Sequence, residues 1–288
     1  MRSWSVLAAV ATLVAAPTLA SAASPVVVVA AENFYGDVAR QIGGDNVRVT
    51  SILDNPDQDP HLFELSPSAA RAIASARIVI ANGLGYDPWM EKPLRAGRRA
   101  DRRTIIVAEL VGKKPGDNPH IWYNPATMLA AATALAEAMS AADPAHAPQY
   151  RGRLAHFAES LKPIDAKIAN LRQRLAGTPV AATEPIFDSL FEALGLTSRN
   201  RPFQLAVMNN TEPSASAIAA FETDLKTRAV RLLVYNRQVS DLLARRMVAL
   251  AKAASVPVLG ATETEPPGKD YQSWILSELD AVDLALSE

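Results

Sequence analysis

Short β-branched runs alternate with helical stretches along this chain, and one long helical segment interrupts the alternation. That pattern limits the fold more than any other feature. Val26 to Ala30 is continuously apolar, as expected for a strand buried on both faces. Further strands are expected at Val47 to Leu53, Arg77 to Ala81 and Thr104 to Ala108. Helices are expected at Phe34 to Gly43, Ser66 to Ala76 and Pro125 to Met139, with Ser66 as N-cap and Pro67 at the first helical position. From about Pro144 to Ala176 the pattern is helical throughout, with Pro163 as a point of kinking and Gly177-Thr178-Pro179 as the stop. The alternation then resumes, with strands at Val180 to Thr183, Phe203 to Val207, Val230 to Tyr235 and Val256 to Ala261. Between and after them come helices at Pro185 to Leu194, closed by Gly195, and at Ser214 to Thr227, Asp241 to Ala254 and Tyr271 to Leu286. This order implies an α/β fold with mostly parallel sheets covered on both faces. Two such units flank the long helix, alike in architecture and not in residues.

The N-terminus reads as a targeting segment. Arg2 precedes an almost wholly apolar stretch from Val6 to Leu19, and Ala20-Ser21-Ala22 fits the small-x-small pattern of a cleavage site. Pro17 and the small residues suit cleavage better than a membrane span of ~20 apolar residues. The expected organisation is a signal peptide at 1–22, an N-terminal α/β lobe at 23–143, a linking helix at 144–176 and a C-terminal α/β lobe at 177–288. The mature chain is then secreted, most simply into the periplasm. Lys and Arg total 29 against 30 Asp and Glu, so no basic excess exists to drive binding to nucleic acid or anionic membranes. The chain has no cysteine. Disulfides, thiolate metal sites, catalytic thiols and a lipidated N-terminal cysteine are therefore excluded.

Four places carry polar groups at or just beyond the carboxyl end of an expected strand, where open α/β sheets bind ligands. They are Asp59-Pro60-His61, Asn118-Pro119-His120-Ile121-Trp122, Thr183-Glu184-Pro185 and Thr262-Glu263-Thr264-Glu265-Pro266. Two fall in each half, so they can meet in a cleft between the halves. Two neutral imidazoles and two carboxylates balance the charge of a divalent cation. The donor set suits zinc or manganese better than calcium, which takes oxygen only. Glu263 and Glu265 are alternatives for one position, and the residues alone do not choose between them. His146 and His156 lie on the long helical stretch with no carboxylate cluster and read as surface residues. Asn33 reads as a helix cap, with a supporting role behind a histidine as the alternative. Asn209-Asn210-Thr211-Glu212-Pro213 reads as a loop entering a helix, and Trp122-Tyr123 as core rings that could also wall the site.

At these residues the chain resembles the solute-binding proteins of zinc and manganese ABC importers, often called TroA-like or ZnuA-like. The likeness spans essentially the whole mature chain. Its most specific parts are Asp59-Pro60-His61, the Asn118 to Trp122 segment with Asn124-Pro125 behind it, and the order of long helix, Glu184 segment and Glu263 segment. The resemblance implies two Rossmann-like lobes joined by one long rigid helix, with a single metal in the interlobe cleft. It implies metal ligands at His61, His120, Glu184 and Glu263. The third position is histidine in many zinc members and glutamate in many manganese members. The fourth is usually aspartate, so Glu263 is a departure by one methylene. The His-rich loop of many zinc-binding members is missing between His61 and His120.

The function implied is capture of one divalent ion, zinc or manganese, as a transported ligand. A monomeric, non-enzymatic periplasmic protein would deliver it to a membrane permease with its cytoplasmic ATPase. The rivals are a metal-dependent hydrolase and an adhesin or surface protein with a structural metal. No H-E-x-x-H motif and no Ser/His or Cys/His signature supports the first rival.

Overall fold

Residues 24–58, 60–97, 99–238 and 241–287 are described by the computed structural model. The expected signal peptide, Asp59 and the side chain of His61 lie outside the described residues.

The first half runs β1 (Val26–Glu32), α1 (Asn33–Gly43), β2 (Val47–Leu53), α2 (Pro67–Ser75), β3 (Ile78–Ala81), α3 (Glu91–Ala96), β4 (Arg103–Ile106), α4 (Val107–Leu110) and α5 (Pro125–Ala142). The long helix α6 (Ala147–Leu175) follows. The second half runs β5 (Pro179–Ala182), α7 (Asp188–Leu194), β6 (Thr197–Ser198), α8 (Arg201–Met208), α9 (Ala215–Lys226), β7 (Leu233–Asn236), α10 (Leu242–Ala253), β8 (Val258–Ala261) and α11 (Tyr271–Ser287). Among the described residues the strands form two parallel four-stranded sheets, ordered β2-β1-β3-β4 and β6-β5-β7-β8. The two orders are equivalent, so β1 corresponds to β5 and β3 to β7. No described helix is long and apolar enough to cross a membrane.

Local sequence accounts for these elements. In β1, Val28 and Ala30 enter the main core while Val29 and Ala31 enter a second cluster with Ile73 and Val79, so both faces of the strand are covered. Gly36 lets α1 lie directly on β2, because a Cβ there would stand 2.1 Å from Ser51 Oγ. The Ser66 hydroxyl caps α2 by accepting from Ala69 N at 3.2 Å. Gly195, at φ 69°, closes α7 in the left-handed conformation that glycine adopts without a steric penalty. Helix α6 continues unbroken through Pro163.

The expected strand at Phe203 to Val207 is instead helix α8. Its apolar residues suit either period, but Pro202 sits in the first helical turn and Phe203 and Val207 share one face against the core of the second half. Gln204 Nε2 also bonds back to the Arg199 carbonyl at 2.8 Å. The edge strand beside β5 is the two-residue β6.

The last helix returns to the first half. Tyr271 donates its hydroxyl to Trp122 O at 2.9 Å, and its backbone N–H to Asp37 at 3.0 Å. Gln272 Nε2 reaches Gln41 and Ser160 at 2.9 and 2.7 Å. Trp274 is fully buried, with ring centroids 5.2 Å from Tyr123 and 6.1 Å from Phe34. One apolar core therefore runs through both halves.

Within this seam Glu278 is buried, accepts a hydrogen bond from Trp274 Nε1 at 3.2 Å, and is pushed up to about 7 by desolvation. The folded state holds this proton more tightly than the unfolded chain, so its contribution to stability falls as pH rises from about 4.5 to about 7. Glu278→Gln should remove a slope of at most ~1.4 kcal/mol per pH unit. Urea unfolding at pH 5, 6, 7 and 8 checks this. A difference between wild type and variant that stays constant across that range would show that Glu278 does not titrate there.

Candidate metal centre

His120 is fixed on three sides before any ligand is considered. Asn118 Oδ1 accepts from His120 N at 3.0 Å and stands 2.7 Å from His120 Nδ1. Asn118 Nδ2 donates to the Pro185 carbonyl at 2.7 Å. A backbone N–H needs an acceptor and a carbonyl needs a donor, so the orientation of the Asn118 amide is set. It follows that His120 Nδ1 carries the proton and donates it to Asn118, leaving the lone pair on Nε2. Ser189 Oγ donates to His120 O at 3.0 Å. Both Pro185 and Ser189 belong to the Glu184 segment of the second half, so the His120 loop and that segment are tied together.

His120 Nε2 is buried and makes no hydrogen bond among the described residues. It faces Glu263 Oε2 at 3.4 Å, longer than an N–H···O bond. Two electron-pair donors thus point at one another in a place closed to water, His120 being 2 % and Glu263 0 % exposed. Groups so arranged are stable when a cation lies with them.

Glu263 is braced by two amides that the sequence analysis did not single out. Asn236 Nδ2 donates to Glu263 Oε1, and Gln238 Oε1 accepts from Glu263 N. Gln238 N donates to Asn236 Oδ1 at 2.9 Å, which orients the Asn236 amide. Gln238 Nε2 then crosses to the first half, donating to Gln58 O at 2.9 Å and to Thr264 Oγ1 at 3.1 Å. Gln58 begins the approach to His61, so the Glu263 backbone is connected to the loop that carries His61.

Glu184 follows β5 and is 2 % exposed. Its charge reaches the buried Tyr86 hydroxyl, as do those of Glu263 and Glu32; burial first and Glu263 second hold that hydroxyl well above its ordinary pKa. Glu32, at the end of β1, is itself raised by burial and then by its neighbour Asp87. Asp87, pushed up to about 6 by burial, keeps its oxygens on Asn82 N at 2.6 Å and Gly83 N at 3.0 Å. Asn82 in turn accepts from Tyr35 at 2.7 Å and donates to Pro119 O at 3.0 Å, supporting the His120 loop from beneath. Trp122 closes the wall, its ring centroid 5.2 Å from that of His120 and 5.0 Å from that of Tyr86.

Glu265 sits elsewhere. Its backbone N and O are both held by the Asn33 amide, at 2.9 and 2.8 Å. Asn33 therefore does not cap α1; it pins this segment to the first half. The Glu265 carboxyl is pushed up to about 9 by burial and then by Asp37, and it lines a cleft with Arg40, Ser51, Asp54 and Lys269. His156 is exposed and His146 pairs with Asp143 at 2.7 Å. Asn209, Asn210, Thr211 and Glu212 are exposed in a loop entering α9. Among the described residues no group of three or more His, Asp or Glu side chains is assembled closely enough to hold a metal. What is assembled is the His120–Glu263 pair, and Glu184 shares with Glu263 an electrostatic effect on Tyr86. Asn82 and Asn236 could have been found from the sequence, since each stands at the carboxyl end of an equivalent strand.

Residues 28–285 match the family described as "ZnuA: Zinc-uptake complex component A periplasmic". The chain belongs to this family: it is a metal-binding solute-binding component of an ABC importer and not an enzyme. Among curated proteins it is similar to the manganese ABC transporter substrate-binding lipoprotein PsaA of Streptococcus anginosus, 22 % identical over 91 % of this chain and 89 % of the relative. Among solved structures it is similar to the periplasmic zinc binding protein TroA of Treponema pallidum, with a TM-score of 0.76 and 17 % identity, covering 91 % of this chain and 99 % of that one. A manganese-bound variant of a periplasmic metal binding protein from Candidatus Liberibacter asiaticus matches at TM-score 0.71 and 19 % identity, over 91 % and 99 % of the two chains.

The Asn118 bonds predict a specific loss. Asn118→Ala should weaken metal binding about 10- to 100-fold, because the imidazole loses the acceptor that fixes its tautomer and direction. Calorimetric titration checks the affinity, and thermal unfolding of the metal-free protein checks that the fold survives. Unchanged affinity would mean that the Trp122 wall alone orients His120.

Proposed function

We propose that His61, His120, Glu184 and Glu263 bind one divalent ion, zinc or manganese, as transported cargo, and that the protein releases it to the membrane permease of its importer. The observation that carries this reading is the buried His120 Nε2 facing Glu263 Oε2 at 3.4 Å, with Glu263 just beyond the carboxyl end of β8 and the His120 loop held by Asn82 at the carboxyl end of β3. The relatives support both metals: the streptococcal protein is named for manganese and the treponemal one for zinc. The residues fit a transition metal, with nitrogen and carboxylate oxygen as donors. In this reading residues 1–22 are a cleaved signal peptide, and the mature protein is a periplasmic monomer of two lobes, 23–143 and 177–288, joined by 144–176.

Ligand removal tests the assignment. Glu184→Ala and Glu263→Ala should each lower affinity by at least ~100-fold, the upper range for disturbing a metal's surroundings. Glu265→Ala should leave affinity within a few-fold of wild type. Binding should also release protons and weaken below about pH 6.5, where ordinary imidazoles protonate. Calorimetric titration of the three variants, repeated from pH 7.5 to 5, is the measurement. Loss of binding in Glu265→Ala with retention in Glu263→Ala would reject the assignment of the fourth ligand.

A further inference from the structure

We infer that Asn236 is a specificity-determining residue, which restricts Glu263 to one metal-facing oxygen and so favours zinc over manganese. The inference rests on the proposed roles of His120 and Glu263.

The two oxygens of the Glu263 carboxylate have different partners. Oε2 faces His120 Nε2 at 3.4 Å, while Oε1 accepts from Asn236 Nδ2 on the other side. A bidentate carboxylate must direct both oxygens at the ion. Here the Asn236 bond turns Oε1 toward the end of β7 and leaves Oε2 leading into the site. Asn236 cannot reverse its amide without a penalty, since its Oδ1 accepts from Gln238 N at 2.9 Å. Gln238 also holds the Glu263 backbone N–H, so the whole residue cannot slide toward the ion as a unit. All three residues are buried, Asn236 at 2 % and Gln238 at 8 % exposed, and the bonds are not exchanged for water.

The consequence follows from coordination preference. Zinc is satisfied by four ligands in a tetrahedron, and two imidazoles with one oxygen from each glutamate supply four donors. Manganese prefers a higher number of oxygen donors, and here it is denied one without any change in the charge of the site. Asn236 therefore alters the donor count and not the electrostatic balance. It touches the ligand and does not touch the ion.

The test compares metals within each variant. In Asn236→Ala, the ratio of zinc to manganese affinity, from calorimetry or competition with a chromophoric chelator, should fall at least tenfold relative to wild type. Electron paramagnetic resonance of bound manganese should show an altered coordination sphere. Gln238→Ala, which frees the Glu263 backbone and the contacts to Gln58 and Thr264 but leaves the Asn236 bond to Oε1, should weaken both metals alike and leave the ratio unchanged. If Asn236→Ala does not fold, as judged by thermal unfolding without metal, Asn236→Ser carries the same expectation, because its hydroxyl is too short to reach Glu263. A ratio within threefold of wild type, or equal weakening of both metals, would make Asn236 a merely structural brace and overturn the inference. Failure of wild type to bind either ion would instead reject the ligand assignment beneath it.

Discussion

The hydrogen bond from His120 Nδ1 to Asn118 Oδ1 is the interaction on which the rest of the site depends. It decides which ring nitrogen keeps a lone pair, and it does so only because the same amide is oriented by Pro185 O in the other half. The pattern recurs. Asn236 and Gln238 hold Glu263, Asn33 holds the Glu265 backbone, and Asn82 holds Pro119. Carboxamides suit this work for a physical reason. Each carries a donor and an acceptor, so it can be oriented by one neighbour and orient another. None carries charge, so the Glu263 carboxyl is held without a positive charge placed beside it.

The two sheets have the same strand order, and equivalent positions have taken different roles. Glu32 and Glu184 both come at the ends of the equivalent strands β1 and β5. Glu32 pairs with Asp87, a neighbouring acid that raises its pKa further, so the first half spends a carboxyl on bracing the turn that leads to Tyr86. Glu184 is beside the loop that holds His120 and shares its electrostatic surroundings with Glu263 through Tyr86. Asn82 and Asn236 show the same division. The first supports the His120 loop through a backbone carbonyl, and the second holds a carboxylate directly.

Much of this was legible in the sequence, for identifiable reasons. The β1 run, the Ser66 cap and the Gly195 stop are local signals, and each appears where the residues require it. The apolar residues of Phe203 to Val207 satisfy two periods, and Pro202 at the helix start together with packing against Phe221 and its neighbours chooses the helix. Glu263 and Glu265 were indistinguishable as residue types. What separates them is long-range: Asn236 and Gln238 meet Glu263 from 27 and 25 positions away, and Asn33 meets Glu265 from 232. Asn33 looked like a cap because its type and position suit one, yet its amide is used across the seam.

The same seam limits how the halves can move. Trp274 and Tyr271 of the last helix lie against Phe34, Tyr123 and Trp122 of the first half, inside one continuous apolar core. Helix α6 adds the Lys167 bridges to Asp280 and Asp283. Opening the halves as two rigid bodies would bring this core into water at about 25 cal/mol for each Å2 exposed. The links nearest the site are lighter: Gln238 to Gln58 is one hydrogen bond, and a typical one contributes about 1 kcal/mol net. An ion in the proposed site would thus have on one side a core that resists separation and on the other loops joined by a few hydrogen bonds. For the proposed cargo, movement of those loops would cost less than parting the core, and it would break the Gln238–Gln58 contact.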